Sequence, residues 1–244
     1  MIPGEVLIAN LNVGATIVRL QEEQKGRLSI LLDKNKLARI PPDRVLLATG
    51  VLPNDPATFE DFRARAEAAA ENIDLSEVWE ILSEDQEAIS LETLAELIWP
   101  STLNDINLSA LVIQLELRSD LFERTEGKYQ PRTREAVEKI HLQQQREAEN
   151  TRDAKELVVA LRNSHLPGIM TKHQESLVNL LKGYAVHGED LPRRSKAHEL
   201  VEEAMPGTRD LQRTCFDILT RSDVFDQNEF LELTKLGIPS EFPV

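Results

Sequence analysis

Apolar residues in the first fifty positions come in short runs rich in β-branched side chains, and turn residues separate them. Glu5–Leu11, Ala15–Leu20 and Arg27–Leu32 are three such runs, broken at Asn12-Val-Gly14, Gln24-Lys-Gly26 and Asp33-Lys-Asn35. Leu37–Ile40 and Arg44–Thr49, either side of Pro41-Pro42, bring the set to five strands. Five short strands in so few residues predict a small SH3-like β-barrel over 1–52, since closing a sheet removes its sticky edges. After Pro53-Asn-Asp-Pro56 the period changes from two to that of a helix.

Thr58 is the expected cap of a helix reaching about Asn72, with Phe59, Phe62, Ala66 and Ala69 along one stripe. Leu75–Leu82, Ser90–Ile98 and Asn107–Leu117 read as three further amphipathic helices, the second capped by Ser90 and stopped by Pro100. Leu121–Pro131 then reads as a hairpin around Glu126-Gly127. Short helices followed by a hairpin predict a winged helix-turn-helix over 57–132. A helical region over 133–244 completes a mainly α chain with a small β module. It opens with a long helix from Arg134 to about Asn163 that is polar nearly all round at Gln143–Glu149. So thin an apolar stripe suits a helix that bridges modules or lies on another surface. Helices are expected at about 171–186, 195–204, 208–220 (with Thr208 as cap) and 226–235.

Composition narrows the chemistry. The chain has 244 residues and a formal charge of −14, yet residues 1–50 carry seven Lys or Arg against five acids, a net of +2. The other 194 residues therefore carry −16, so a small basic module is attached to an acidic body. No run approaches the roughly 18–20 apolar residues that span a bilayer, and the first twenty residues lack the basic start of a secretory signal. With a single cysteine, Cys215, no internal disulfide or cysteine-rich zinc site is possible, and a reducing cytoplasm is the expected compartment. Cys215 falls on the apolar stripe of its helix, as a buried structural thiol does.

None of the five histidines has another at helical spacing, and no HExxH, Gly-rich phosphate loop or GxSxG elbow occurs. Acidic pairs such as Glu84-Asp85 and Glu189-Asp190 fall in predicted loops, away from any framework that would converge them on a metal. No catalytic residue and no metal ligand is assigned.

Basic residues do gather. Arg124, Lys128, Arg132 and Arg134 surround the predicted wing, with Phe122 and Tyr129 between them. Such a wing can follow a phosphate backbone with Tyr129 offered to a base, or be a salt-bridged surface with both rings packed inward. Lys34, Lys36 and Arg39, with Lys25 and Arg27, sit in or beside loops of the β module. They form either a second phosphate-facing strip or scattered surface charge. Asn107–Leu117 has no Lys or Arg, unlike a helix that reads a DNA major groove.

These segments resemble the amino-terminal, non-catalytic region of ribonuclease II/R-type 3′–5′ exoribonucleases, in the branch found in cyanobacteria, plastids and Deinococcus-like bacteria. The resemblance rests on Gly4-Glu-Val-Leu-Ile8, Val78-Trp-Glu-Ile-Leu82, Gly127-Lys-Tyr-Gln-Pro-Arg132 and Leu236-Gly-Ile-Pro-Ser-Glu-Phe-Pro243. It implies a front region that guides single-stranded RNA to a downstream catalytic domain, where an aspartate cluster holds magnesium. No such cluster occurs between Met1 and Val244, so this chain is expected to be inactive alone. The closing segment resembles the approach to that following domain. RNA binding is expected to be weak and salt-dependent, through Arg124, Lys128, Tyr129, Arg132, Arg134, Lys34, Lys36 and Arg39. The alternative is a protein-interaction adaptor whose acidic helices dock a partner or the catalytic domain.

Overall fold

The strands predicted for the amino-terminal fifty residues form one antiparallel sheet. In the computed structural model, which describes residues 1–32, 36–192 and 194–225, these are β1 (Val6–Leu11), β2 (Gly14–Gln24), β3 (Arg27–Leu31), β4 (Leu37–Ile40) and β5 (Val45–Ala48). Their order is β4-β3-β2-β1-β5. β2 is the longest, at eleven residues: its first half pairs with β1, and its second half runs on beside β3 alone. Register shifts at Ile8/Ala9 and at Leu20/Glu22 mark bulges, which bend the sheet.

Side chains alternate across a strand, so the sheet has two faces with different fates. Leu7, Ala9, Val18, Leu20, Leu28, Ile30 and Ile40 pack together on one face. Val6, Ile8 and Ile17 lie on the other and enter a core shared with the helices.

Those helices are α1 (Pro56–Glu71), α2 (Leu75–Leu82), α3 (Leu91–Ile98) and α4 (Asp105–Leu117). Ser90 caps α3 as expected, accepting from the Thr93 N–H at 3.2 Å. α1 is capped by Asp55 rather than Thr58, because the Asp55 carboxylate accepts both the Thr58 N–H (2.7 Å) and its hydroxyl (3.0 Å). Its buried stripe is Phe59, Phe62, Ala66 and Ala70, not Ala69. α4 begins two residues ahead of the expected Asn107, since Asn104 accepts the Asn107 N–H at 2.9 Å. Apolar nearly all round, α4 is the central helix, in contact with α1, α3 and strands β1, β2 and β5.

A hairpin of β6 (Phe122–Thr125) and β7 (Lys128–Pro131) follows. Ile89, between α2 and α3, joins it through reciprocal 2.9 Å bonds with Tyr129.

The chain divides into two compact units, Met1–His141 and Leu142–Val244, and the boundary falls within α5 (Arg134–Arg162). The sheet and α1–α4 thus lie in one unit. In the second unit the carboxy-terminal half of α5 packs with α6 (Lys172–His187), α7 (Arg194–Ala204) and α8 (Leu211–Arg221). Thr171 caps α6 in a reciprocal capping box with Gln174. Asp210 caps α8 in place of Thr208, whose hydroxyl is bonded to that of Thr214 instead. Cys215 is buried and its Sγ donates to the Leu181 carbonyl. The helix expected at 226–235 and the closing segment 236–243 lie outside the described residues. No helix among the described residues is long and apolar enough to cross a membrane.

Candidate nucleic-acid interface

The face of the sheet that meets the helices at β1, β2 and β5 continues, uncovered, across β3 and β4. The register places Glu22, Ser29 and Arg39 in one row across β2, β3 and β4, with Gln24 opposite Arg27 in the next. All five residues therefore share a face. With Lys25 from the β2–β3 turn they line a groove of about 340 Å³. Lys25 holds the turn at φ +51°, followed by Gly26 at +71°, a left-handed pair that lets the two strands reverse tightly.

Three cations and one carboxylate around the hollow leave a local charge of +2. Lys25, Arg27 and Arg39 have no ion pair among the described residues, so their charge is open to an outside anion. By contrast Arg19, on the same face, is engaged with the carbonyls of Gly4 and Pro53. Lys36 is exposed in the β3–β4 connection, at the other end of β3 from the turn that edges the groove, and is not part of its wall; Lys34 lies outside the described residues.

The hairpin is different. Arg124 donates to the Leu46 carbonyl at 3.3 Å and so ties β6 to β5. Its charge also offsets burial at Glu116, a half-buried α4 carboxyl that burial raises above its ordinary range and that accepts from Asn10 at 3.2 Å. Arg132 is held by the Ser119 carbonyl at 3.1 Å and by the Glu123 carboxylate at 3.0 Å. Arg134 stands 6.0 Å from the centre of the Trp79 ring, while the Trp79 indole N–H donates to the Arg132 carbonyl at 2.8 Å.

Tyr129 is 3% exposed and Phe122 2%, both within the core, so neither offers a face to a base. Burial pushes the Tyr129 phenol up to about 12. β7 alternates strictly: Lys128 and Gln130 point out, Tyr129 and Pro131 in. Lys128 is exposed and makes no hydrogen bond or ion pair among the described residues.

The structure thus separates two clusters that look alike in sequence. Of the hairpin arginines Arg132 is ion-paired, while Arg124 and Arg134, both exposed, each make one internal contact; the three sheet cations make none among the described residues. A feature missed in the sequence is Asp120, 8% exposed, between α4 and β6. Its carboxylate receives Arg118 at 3.0 and 3.2 Å and His141 at 2.7 Å. Burial pushes that carboxyl up, but the Arg118 and His141 contacts prevail and hold it below its ordinary range.

Among the described residues no three His, Cys, Asp or Glu side chains converge as ligands for a metal ion. Comparison with protein-family models, curated proteins and solved structures finds no match to this chain.

Proposed function

We propose that this chain is a cytoplasmic, non-catalytic RNA-guiding region of a ribonuclease II-family 3′–5′ exoribonuclease, passing a single strand toward a downstream catalytic domain that holds magnesium. In this reading the sheet is an SH3-like β-module. α2, α3 and α4 with the β6–β7 hairpin are a winged helix-turn-helix, a reading favoured by the one-residue Ile89–Tyr129 bridge that ties the wing to the segment between α2 and α3. The wing's role is structural, and RNA contact belongs to the sheet.

The observation that carries the proposal is the groove lined by Lys25, Arg27 and Arg39, which have no ion pair among the described residues, on the open half of the sheet. Phosphate contact rests on clustered cations whose counterions can be released. α4 does not serve as a DNA-reading helix: it has no Lys or Arg, and its residues Ser109–Val112 and Leu115 are buried.

Binding of a labelled single-stranded RNA, followed by fluorescence anisotropy across a salt series, tests this. Three neutralised phosphates give a log–log slope of about −2, or roughly a twentyfold loss of affinity between about 50 and 200 mM salt. K25A/R27A/R39A should flatten the slope toward zero, and K128A should leave it unchanged. Absence of any binding by the wild-type chain at low salt would sink the proposal.

A second reading, an adaptor docking through acidic helices, draws support from the apolar side chains left exposed on α2–α4: Ile81 (76%), Leu97 (56%) and Leu117 (70%). Nuclease-resistant recovery of a partner, together with RNA binding indifferent to the three sheet cations, would favour it.

A further inference from the structure

The open half of the sheet carries more than charge. One row beyond Arg39 and Ser29, the register sets Leu37 of β4 against Leu31 of β3. Leu37 and Arg39 are two residues apart on one strand, so their side chains leave the same face about 7 Å apart. Leu37 is 66% exposed, although the rest of this face is either covered by helices or polar. An isolated exposed leucine means little. This one extends a partly buried leucine and borders the cationic groove, so an apolar shelf adjoins three cations.

Resting on the RNA-guiding reading above, we infer that this face selects single strands over duplexes, with a phosphate held by Arg27, Arg39 and Lys25 and an unstacked base laid on Leu37 and Leu31. A single strand presents free base faces; in a duplex they are covered by stacked neighbours, and only the charge of the backbone is left to bind. The contact is with the base's flat apolar face, so it is tolerant of sequence. The hollow between α6 and α8 is edged by Asp210 and Asp217 and has no such donor set.

The test compares a single strand of roughly twelve nucleotides with the duplex of the same sequence, on the full chain, for wild type, L37T, L37W and R27A/R39A. Threonine suits an exposed strand position, so L37T keeps the sheet intact. L37T is expected to weaken single-strand binding about fivefold and leave the duplex affinity and the salt slope unchanged. L37W, a larger shelf, is expected to strengthen single-strand binding by a similar factor. R27A/R39A is expected to weaken both ligands and to flatten the slope. If L37T and L37W leave the single-strand to duplex ratio where it was, while R27A/R39A still lowers binding, the selectivity inference is wrong and the RNA-guiding reading stands. If wild type binds neither ligand, that reading fails and the inference with it.

Discussion

Asp120→Ala is the most informative single change to the first unit. Asp120 follows the carboxy-terminal end of α4 and precedes Leu121 and Phe122, each 2% exposed, whose entry into the core starts the hairpin. Its carboxylate accepts three charge-assisted bonds: two from the Arg118 guanidinium and one from His141 of α5. A fully buried pair that loses one partner costs about 3–5 kcal/mol. Here the side chains of Arg118 (33% exposed) and His141 (52% exposed) can recover water, so the loss falls to about 2–3 kcal/mol. Unfolding entropy of about 2.1 cal/mol/K per residue over the 141 residues of the unit makes each kcal/mol worth about 3.4 °C. Calorimetry should therefore show the Tm of that unit lowered by about 7–10 °C. The pH dependence has a definite sign. A carboxyl held below its unfolded value of about 3.9 stabilises at higher pH, and that gain fades as pH falls through the folded value. The gap between wild type and D120N should accordingly narrow below about pH 4. A Tm change under about 2 °C, or a gap that stays constant down to about pH 2, would refute the linchpin role of this residue.

Three other outcomes follow from buried groups. Both tyrosines are raised, Tyr129 to about 12 by burial and Tyr184 by burial and the nearby Glu189, so ultraviolet titration of the native protein should show less phenolate at pH 10 than two ordinary phenols give. The unfolded phenol ionises first, so the stabilisation present below about pH 10 is lost as pH rises through the folded value; a full phenolate signal at pH 10 in folded protein would contradict this. Burial likewise pushes the Cys215 thiol up to about 12, and a disulfide reagent at about pH 8 should react slowly until denaturant is added. Gly188→Ala combines φ +56° with a Cβ aimed at the Gln212 amide, which itself donates to the Ala185 carbonyl at 3.0 Å. It should lower the urea midpoint of the second unit by the equivalent of about 1–3 kcal/mol, and an unchanged midpoint would show that the turn relaxes freely.

Local rules made much of the fold legible. Short β-branched runs between Gly-containing turns marked the strands, and helical periodicity marked α2, α3 and α6. The misreadings occurred where two residues of the same chemistry compete for one task. Asp55 and Thr58 are both good caps three residues apart; the carboxylate wins because it accepts two bonds from Thr58, which a hydroxyl cannot match. Asn104 and Asn107 pose the same choice, and Asn107 is drawn into the helix because its side chain donates to the Thr102 carbonyl at 2.8 Å. The candidate site was legible as charge but not as available charge. Arg124 meets a carbonyl 78 residues away and Arg132 one 13 residues away, and no local pattern carries that information. Nor does the sequence near Asp120 announce its partner His141, 21 residues on.

The division between spent and open cations has a structural root. β1, the first half of β2, and β5 turn Val6, Ile8 and Ile17 toward α1–α4, and any charge beside them must find an internal acceptor, as Arg19 and Arg124 do. β3, β4 and the second half of β2 extend past that cover, so the same alternation that buries an aliphatic residue at one end of the face presents Arg27, Ser29 and Arg39 to water at the other. Nothing about folding requires those positions to be basic in a chain of net charge −14. On the proposed RNA-guiding reading, three phosphate contacts would give a modest attraction that falls steeply with salt. Adding a fourth cation at Glu22, as in E22K, should therefore tighten binding and steepen the salt slope by about 0.7, and an unchanged slope would mean that the strand does not pass through this groove.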